Sequence, residues 1–272
     1  MDKVLEQNFK TVKDTLDKAR LYRHACALIQ YDMETICPQK GMEEQGELSA
    51  FLGNEGYKLI KDEKFIKAVE YCWVHKDEGF TEQERALLKS LHKQYMDVKN
   101  VTPEKNHEWQ LITNRSYVKW LEAREKADYS IFAPVFEEVK QVNFEMVNLR
   151  EEKLPLAYDN LIGDYERGIT TADIDVWFCE CKERLIKLLE KVKASKKVIR
   201  RDFLKRPMEE YKQAEFARYL LNTIGYDFTR GAFTTTEHPF MSGIAKNDIR
   251  VTTHYHVNEF ASNIFSILHE GG

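Results

Sequence analysis

Residues 172–195 read ADIDVWFCECKERLIKLLEKVKAS, and this stretch decides the fold class. Ile174, Trp177, Phe178, Cys181, Leu185, Leu188, Leu189 and Val192 fall at i, +3, +4, +7, +11, +14, +15 and +18. A repeat of 3.6 residues puts them on one stripe, with Lys and Glu on the other faces, and predicts an amphipathic helix. Thr171 or Asp173 is placed to cap its start.

Working outward, the same pattern recurs along most of the chain. Thr81-x-x-Glu84 is a candidate capping box before Leu87, Leu88, Leu91 and Tyr95, and predicts a helix over 81–98. Phe132, Phe136, Val139, Met146 and Leu149 predict another over 129–150, with Pro134 early, where a missing N–H matters least. Further helices are expected over 2–33 (broken near Asp17), 39–61, 63–76, 104–127 and 209–224, the last stopped by Gly225. Trp109, Trp120 and Trp177 are expected in the core. No repeat period suggests a solenoid.

After Gly225 the character changes. Ile249, Val251, Thr253, Tyr255 and Val257 alternate with Arg250, Thr252, His254 and His256, the period of a half-buried strand. Phe228 to Thr236 is a second strand candidate, and Pro239 and Gly243 predict a loop between the two. A small antiparallel sheet near residues 226–257 is the economical reading. Asn258 is a plausible cap for a last helix carrying Phe260, Ile264, Ile267 and Leu268. The fold class expected is mainly α. It forms one mostly helical domain over 1–272: helical over 1–225, a small sheet over 226–257 and the start of a further helix over 258–272.

Composition bounds the function. Of 272 residues, 43% are hydrophobic and 32% charged, enough apolar material for a core. Net charge is −4, which gives no general attraction to nucleic acid or anionic lipid. The basic stretch Lys193 to Arg206 reads as a solvated helix end and loop. No apolar run approaches a membrane span, and Met1-Asp2-Lys3-Val4 leads into a charged amphipathic stretch rather than an export signal. Five cysteines without framework spacing fit a reduced cytosol, so a cytoplasmic location is expected. Cys179 and Cys181, two apart on a helix, do not share a face for a metal. Glu34, Glu43, Glu44 and Glu47 read as a solvated acidic face. His254 and His256 share a strand face but are read as solvent-facing.

The last helix ends Ile267-Leu268-His269-Glu270-Gly271-Gly272. His269-Glu270 followed by two small residues is the start of His-Glu-x-x-His. In that motif two imidazoles four apart bind zinc and the Glu acts as general base. Alone the pair is a weak signal, and a capping or solvated histidine is the plain alternative. Three further segments add specificity: His238-Pro239-Phe240, Asp248-Ile249-Arg250-Val251-Thr252, and Tyr31-Asp32-Met33-Glu34-Thr35 with Pro38 and Gly41.

His238-Pro239-Phe240, then Asp248-x-Arg250-x-Thr252, then His269-Glu270, in this order and at this spacing, closely resemble the carboxypeptidase Taq family of zinc metallocarboxypeptidases; the early stretch also resembles that family's N-terminal pattern, with Tyr31 where the family usually has Trp. The resemblance covers essentially the whole chain. It implies a multi-helix, zincin-like N-terminal half of a larger enzyme, one that releases C-terminal residues from peptides with zinc, or sometimes cobalt, and often forms homodimers. His269 then matches a zinc ligand and Glu270 the general base. Arg250 is the candidate for the substrate carboxylate, with pairing to Asp248 as the alternative. His238 is the candidate for a hydrogen bond to substrate or to the oxyanion, with fixing the loop at Pro239 as the alternative. The chain is expected to end inside the metal-binding helix, to hold metal weakly or not at all by itself, to be inactive alone and to self-associate. The rival readings are a non-catalytic structural or binding fragment and a related zinc oligopeptidase.

Overall fold

A computed structural model describes residues 2–272. Its described contacts divide into two compact units, residues 2–23 with 43–195, and 24–42 with 196–272.

The first unit is helical. α1 (Lys3–Thr35) enters it through residues 3–23; α2 (Met42–Lys61), α3 (Glu63–Val74), α4 (Glu82–Val98), α5 (Pro103–Glu125), α6 (Ala133–Leu149), α7 (Ala157–Tyr165) and α8 (Thr171–Ala194) follow. α1 is unbroken, against the expected interruption near Asp17. No Gly or Pro interrupts it, and Leu5, Phe9 and Val12, at i, +4 and +7, are buried against Phe65, Val69, Cys72 and Leu88. The capping box of α4 is present, with the Glu84 N–H donating to Thr81 Oγ1 (3.2 Å) and the Thr81 N–H to Glu84 Oε2 (2.9 Å). A second core joins Val101, Trp109 and Val142.

α7 lies outside the sequence expectation because polar groups rather than an apolar stripe hold it. Buried Arg150 donates to the Asn160 carbonyl (3.1 Å) and to Asp164 (2.6 Å), and Asn160 Oδ1 accepts from the Leu154 N–H (2.8 Å). α8 forms over the predicted residues. Its start is fixed by Thr170, whose N–H and hydroxyl both donate to Asp173, rather than by Thr171. Yet none of its residues is buried, and Trp177, expected in the core, is 51% exposed.

The second unit carries the end of α1, then α9 (Glu210–Thr223), β1 (Gly231–Thr235), β2 (Met241–Ala245), β3 (Asp248–Thr253) and α10 (Phe260–Gly271). The sheet is mixed, in the order β1-β3-β2. β2 pairs antiparallel with β3, whereas β1, the strand expected to lie antiparallel to β3, pairs with it in parallel, with Phe233 opposite Val251. Residues 241–245, expected in a loop, form β2, because only Lys246 and Asn247 separate them from β3 and a tight hairpin results.

β3 stops at Thr253, short of the alternation that runs on to Val257. Beyond it the backbone carbonyls have other partners: Gln213 Nε2 donates to the His256 carbonyl (3.0 Å) and the Met208 N–H to that of Val257 (2.8 Å). His254 and His256 are therefore off the strand, with ring centroids 4.4 Å apart. α10 begins at Phe260 after Glu259, and Asn258 makes no cap. Ala217, Leu221, Val251 and Ile267 form the core of this unit, between α9, β3 and α10.

Candidate active site

All the site residues singled out from the sequence lie in the second unit. β3, buried at Val251, Thr252 and Thr253, is the platform. Its first half presents Arg250, whose Nε and Nη2 donate to Asp248 Oδ1 and Oδ2, both at 2.8 Å. This fork is the geometry a planar guanidinium favours with a carboxylate. It holds the Asp248 carboxyl below the usual range and raises Arg250 further. The guanidinium also sits 4.6 Å from the centre of the Tyr31 ring, a cation–π contact. Burial pushes the Tyr31 hydroxyl upward.

The other motif segments attach to the same platform. Phe240 packs edge-on against Tyr31, centroids 6.1 Å apart. Its N–H donates to Thr252 Oγ1 (2.8 Å), and its carbonyl accepts from the Thr252 N–H (2.9 Å) and hydroxyl (3.0 Å). Thr236 Oγ1 donates to the Glu34 carbonyl (2.7 Å). Stretches of sequence some two hundred residues apart are thus joined around one strand. His238 is exposed and makes no hydrogen bond to another described residue.

α10 carries the other half of the candidate chemistry. Its last turn holds His269, whose side chain is 85% exposed, and Glu270, at 19%; Nε2 and Oε1 are 3.9 Å apart. Successive helical residues point about 100° apart, which suits one ligand and one base better than two ligands to one ion. A catalytic zinc takes three protein ligands and keeps an open position. Among the described residues no three His, Cys, Asp or Glu side chains form such a group. The described residues by themselves therefore do not assemble a three-ligand site. No hydrogen bond or ion pair joins His269 or Glu270 to Arg250 or His238 among the described residues.

Sequence reasoning missed Asn263 and Gln213. Thr253 Oγ1 donates to Asn263 Oδ1 (2.9 Å), and Asn263 Nδ2 to the Gln213 carbonyl (3.2 Å). The available signal was an amide at 263 on the stripe marked by Phe260, Ile264 and Ile267.

A mostly helical chain with a His-Glu pair on a helix seated against a small sheet fits the helical metallopeptidases as a class, and comparison with known proteins narrows it. The family model of the carboxypeptidase Taq (M32) metallopeptidases matches residues 11–272, and the chain belongs to that family. Carboxypeptidase 1 of Bacillus subtilis is 28% identical over 260 residues, 95% of this chain and 51% of that protein. Thermostable carboxypeptidase 1 of Pyrococcus furiosus is 28% identical over 277 residues, 97% of this chain and 53% of that one. The crystal structure of BsuCP superposes with a TM-score of 0.92 at 27% identity, covering 98% of this chain and 53% of that chain. The M32 carboxypeptidase of Deinococcus radiodurans, at 22% identity and a TM-score of 0.83 over 98% of this chain and 53% of that chain, shares the fold. The chain spans about half the length of the curated relatives it matches. Among the described residues no helix is long and apolar enough to cross a membrane.

Proposed function

We propose that this chain supplies the N-terminal part of a metallocarboxypeptidase that releases C-terminal residues from peptides in the cytoplasm. The observation that carries the reading is the placement of His269 and Glu270 on the last turn of a helix seated on the strand of Asp248, Arg250 and Thr252, within a family match that reaches both. His269 offers an accessible imidazole as one metal ligand. A zinc or cobalt ion bound there with further ligands would supply Lewis-acid polarisation of the scissile carbonyl and activation of water. Glu270 takes the proton from the attacking water and passes one to the leaving amine.

Arg250 is proposed to bind the substrate's free carboxylate. Two of its five N–H donors are engaged by Asp248, and the remaining donors are free for a second carboxylate. His238, exposed beside Phe240, is proposed to hydrogen-bond the substrate.

The test is product analysis on one peptide with the intact protein. Sequential loss of C-terminal residues, abolished by EDTA and by Glu270→Gln, supports the reading; internal cleavage instead replaces it with an oligopeptidase. For the 272-residue chain by itself we expect no metal-dependent hydrolysis, since a catalytic zinc takes three protein ligands and this reading assigns it only His269. EDTA-sensitive release from this chain alone contradicts that expectation. The uncovered stripe of α8 supports self-association, a homodimer being the simplest form, and a monomer by light scattering counts against it.

A further inference from the structure

We infer that Asn263 is a positioning residue for the chemistry of α10, and this inference rests on the reading of His269 and Glu270 given above. Apolar contacts seat α10: Ile267 packs with Leu221 and Val251. Such contacts are non-directional, and they set the rotation and height of a helix less sharply than hydrogen bonds do. Asn263 supplies the sharper setting. Its side chain is buried (1% exposed) and its two halves are claimed by different elements. Oδ1 accepts from the Thr253 hydroxyl on β3, at 2.9 Å, and Nδ2 donates to the Gln213 carbonyl on α9, at 3.2 Å.

Thr253 and Gln213 are equally buried, at 0% and 1%. Gln213 in turn donates from Nε2 to the Met208 and His256 carbonyls (2.9 and 3.0 Å), tying the start of α9 to the segment that leaves β3. A slip of one residue turns a helix by about 100° and shifts it about 1.5 Å. Either movement strands a buried amide without partners, so the link fixes both rotation and height.

The geometry transmits this setting to the reacting groups. Glu270 lies seven residues after Asn263, about two turns on, and falls on the same face. His269 comes one residue earlier, on the outward side, in keeping with its exposure. The end of the helix is seated at close range. A Cβ on Gly271 would lie 2.5 Å from Leu221 Cδ2 and 3.0 Å from Ile224 Cδ1. Rotation set at Asn263 is therefore carried into the direction of Glu270 and His269.

The test uses the intact protein and two readouts. Thr253→Val keeps the shape and removes the donor, Thr253→Ser restores it, and Asn263→Asp keeps the acceptor but puts an oxygen against the Gln213 carbonyl. Leu88→Ala, in the core of the other unit, is the control for stability alone. In zinc competition with a chelator, Thr253→Val and Asn263→Asp are expected to weaken affinity on the order of tenfold, while Thr253→Ser and Leu88→Ala stay within about twofold although Leu88→Ala lowers Tm. Affinity unchanged in Thr253→Val, or lost equally in Leu88→Ala, overturns the inference.

The second readout, amide hydrogen exchange over residues 264–271 in metal-free protein, does not depend on the metal. Protection there is expected to fall in Thr253→Val and Asn263→Asp relative to α4 and to return in Thr253→Ser. Uniform loss, or none, overturns the inference as well. If His269→Ala leaves zinc affinity unchanged while exchange behaves as expected, the metal reading fails and the positioning of α10 stands.

Discussion

α8 and α10 are both amphipathic helices whose apolar residues recur at helical spacing, and they end in opposite conditions. The stripe of α8 is uncovered: Phe178, Leu185, Leu188, Leu189 and Val192 are each between 54% and 67% exposed. α10 is half as long, yet Ile267 and Asn263 are almost fully buried, against Leu221, Val251 and Thr253. An apolar repeat fixes the period of a helix and says nothing about the partner that will cover it. What distinguishes α10 is a polar residue on its buried stripe, because an amide there survives only where directional partners meet it.

The sharpest break between the two helices is functional. In the intact protein Glu270→Gln is expected to lower kcat by about 10² to 10⁴ while leaving Tm nearly unchanged; Leu188→Ala on α8 is expected to leave kcat as it is. Peptide hydrolysis and thermal unfolding of both variants check this. Stability gives the next contrast. Ile267→Ala should cost roughly 2–5 kcal/mol, and Leu188→Ala less than about 0.5 kcal/mol in the monomeric chain, measured by denaturant unfolding. A large loss from Leu188→Ala would show that α8 is covered in solution.

Gly271→Ala is expected to cost about 1–3 kcal/mol, since the added methyl meets Leu221 and Ile224. Thr81→Ala, which removes the cap of α4, should cost about 1 kcal/mol. The smallest effect is a pH dependence. Asp248 titrates below its ordinary value of 3.8 because Arg250 donates to it. A depressed folded-state pKa contributes stability above the unfolded pKa and loses it as pH falls through the folded value. Tm of Asp248→Asn should therefore converge on that of the parent as pH drops below 3.8; a constant difference down to the most acidic point contradicts the pairing.

How much could be read beforehand follows from the same physics. Helices with an apolar stripe and a Ser/Thr–acid cap, such as α4, were legible because both signals are local. α7 was not, because buried Arg150 and Asn160 hold it and neither marks a helix by periodicity. β2 was hidden by Pro239 and Gly243, which read as a loop. The parallel pairing of β1 was hidden because it depends on which strand takes the centre of the sheet. Of the candidate site, residue types and order were legible. The fork between Arg250 and Asp248 was one of two open readings, and the ring of Tyr31 beneath the guanidinium needed the fold.

The sheet order carries a consequence for assembly. The central strand, β3, is the last of the three in the chain, and β1, the first, lies beside it rather than beside β2. The hairpin of β2 and β3 closes across two residues, whereas β1 must wait for a longer loop to be paid in entropy. Growth from the C-terminal side inward is the route this favours. Val251, shared by the sheet and by the packing of α10, then sits where early and late contacts meet. Substitutions at the hairpin should slow refolding, and those in β1 should mainly hasten unfolding.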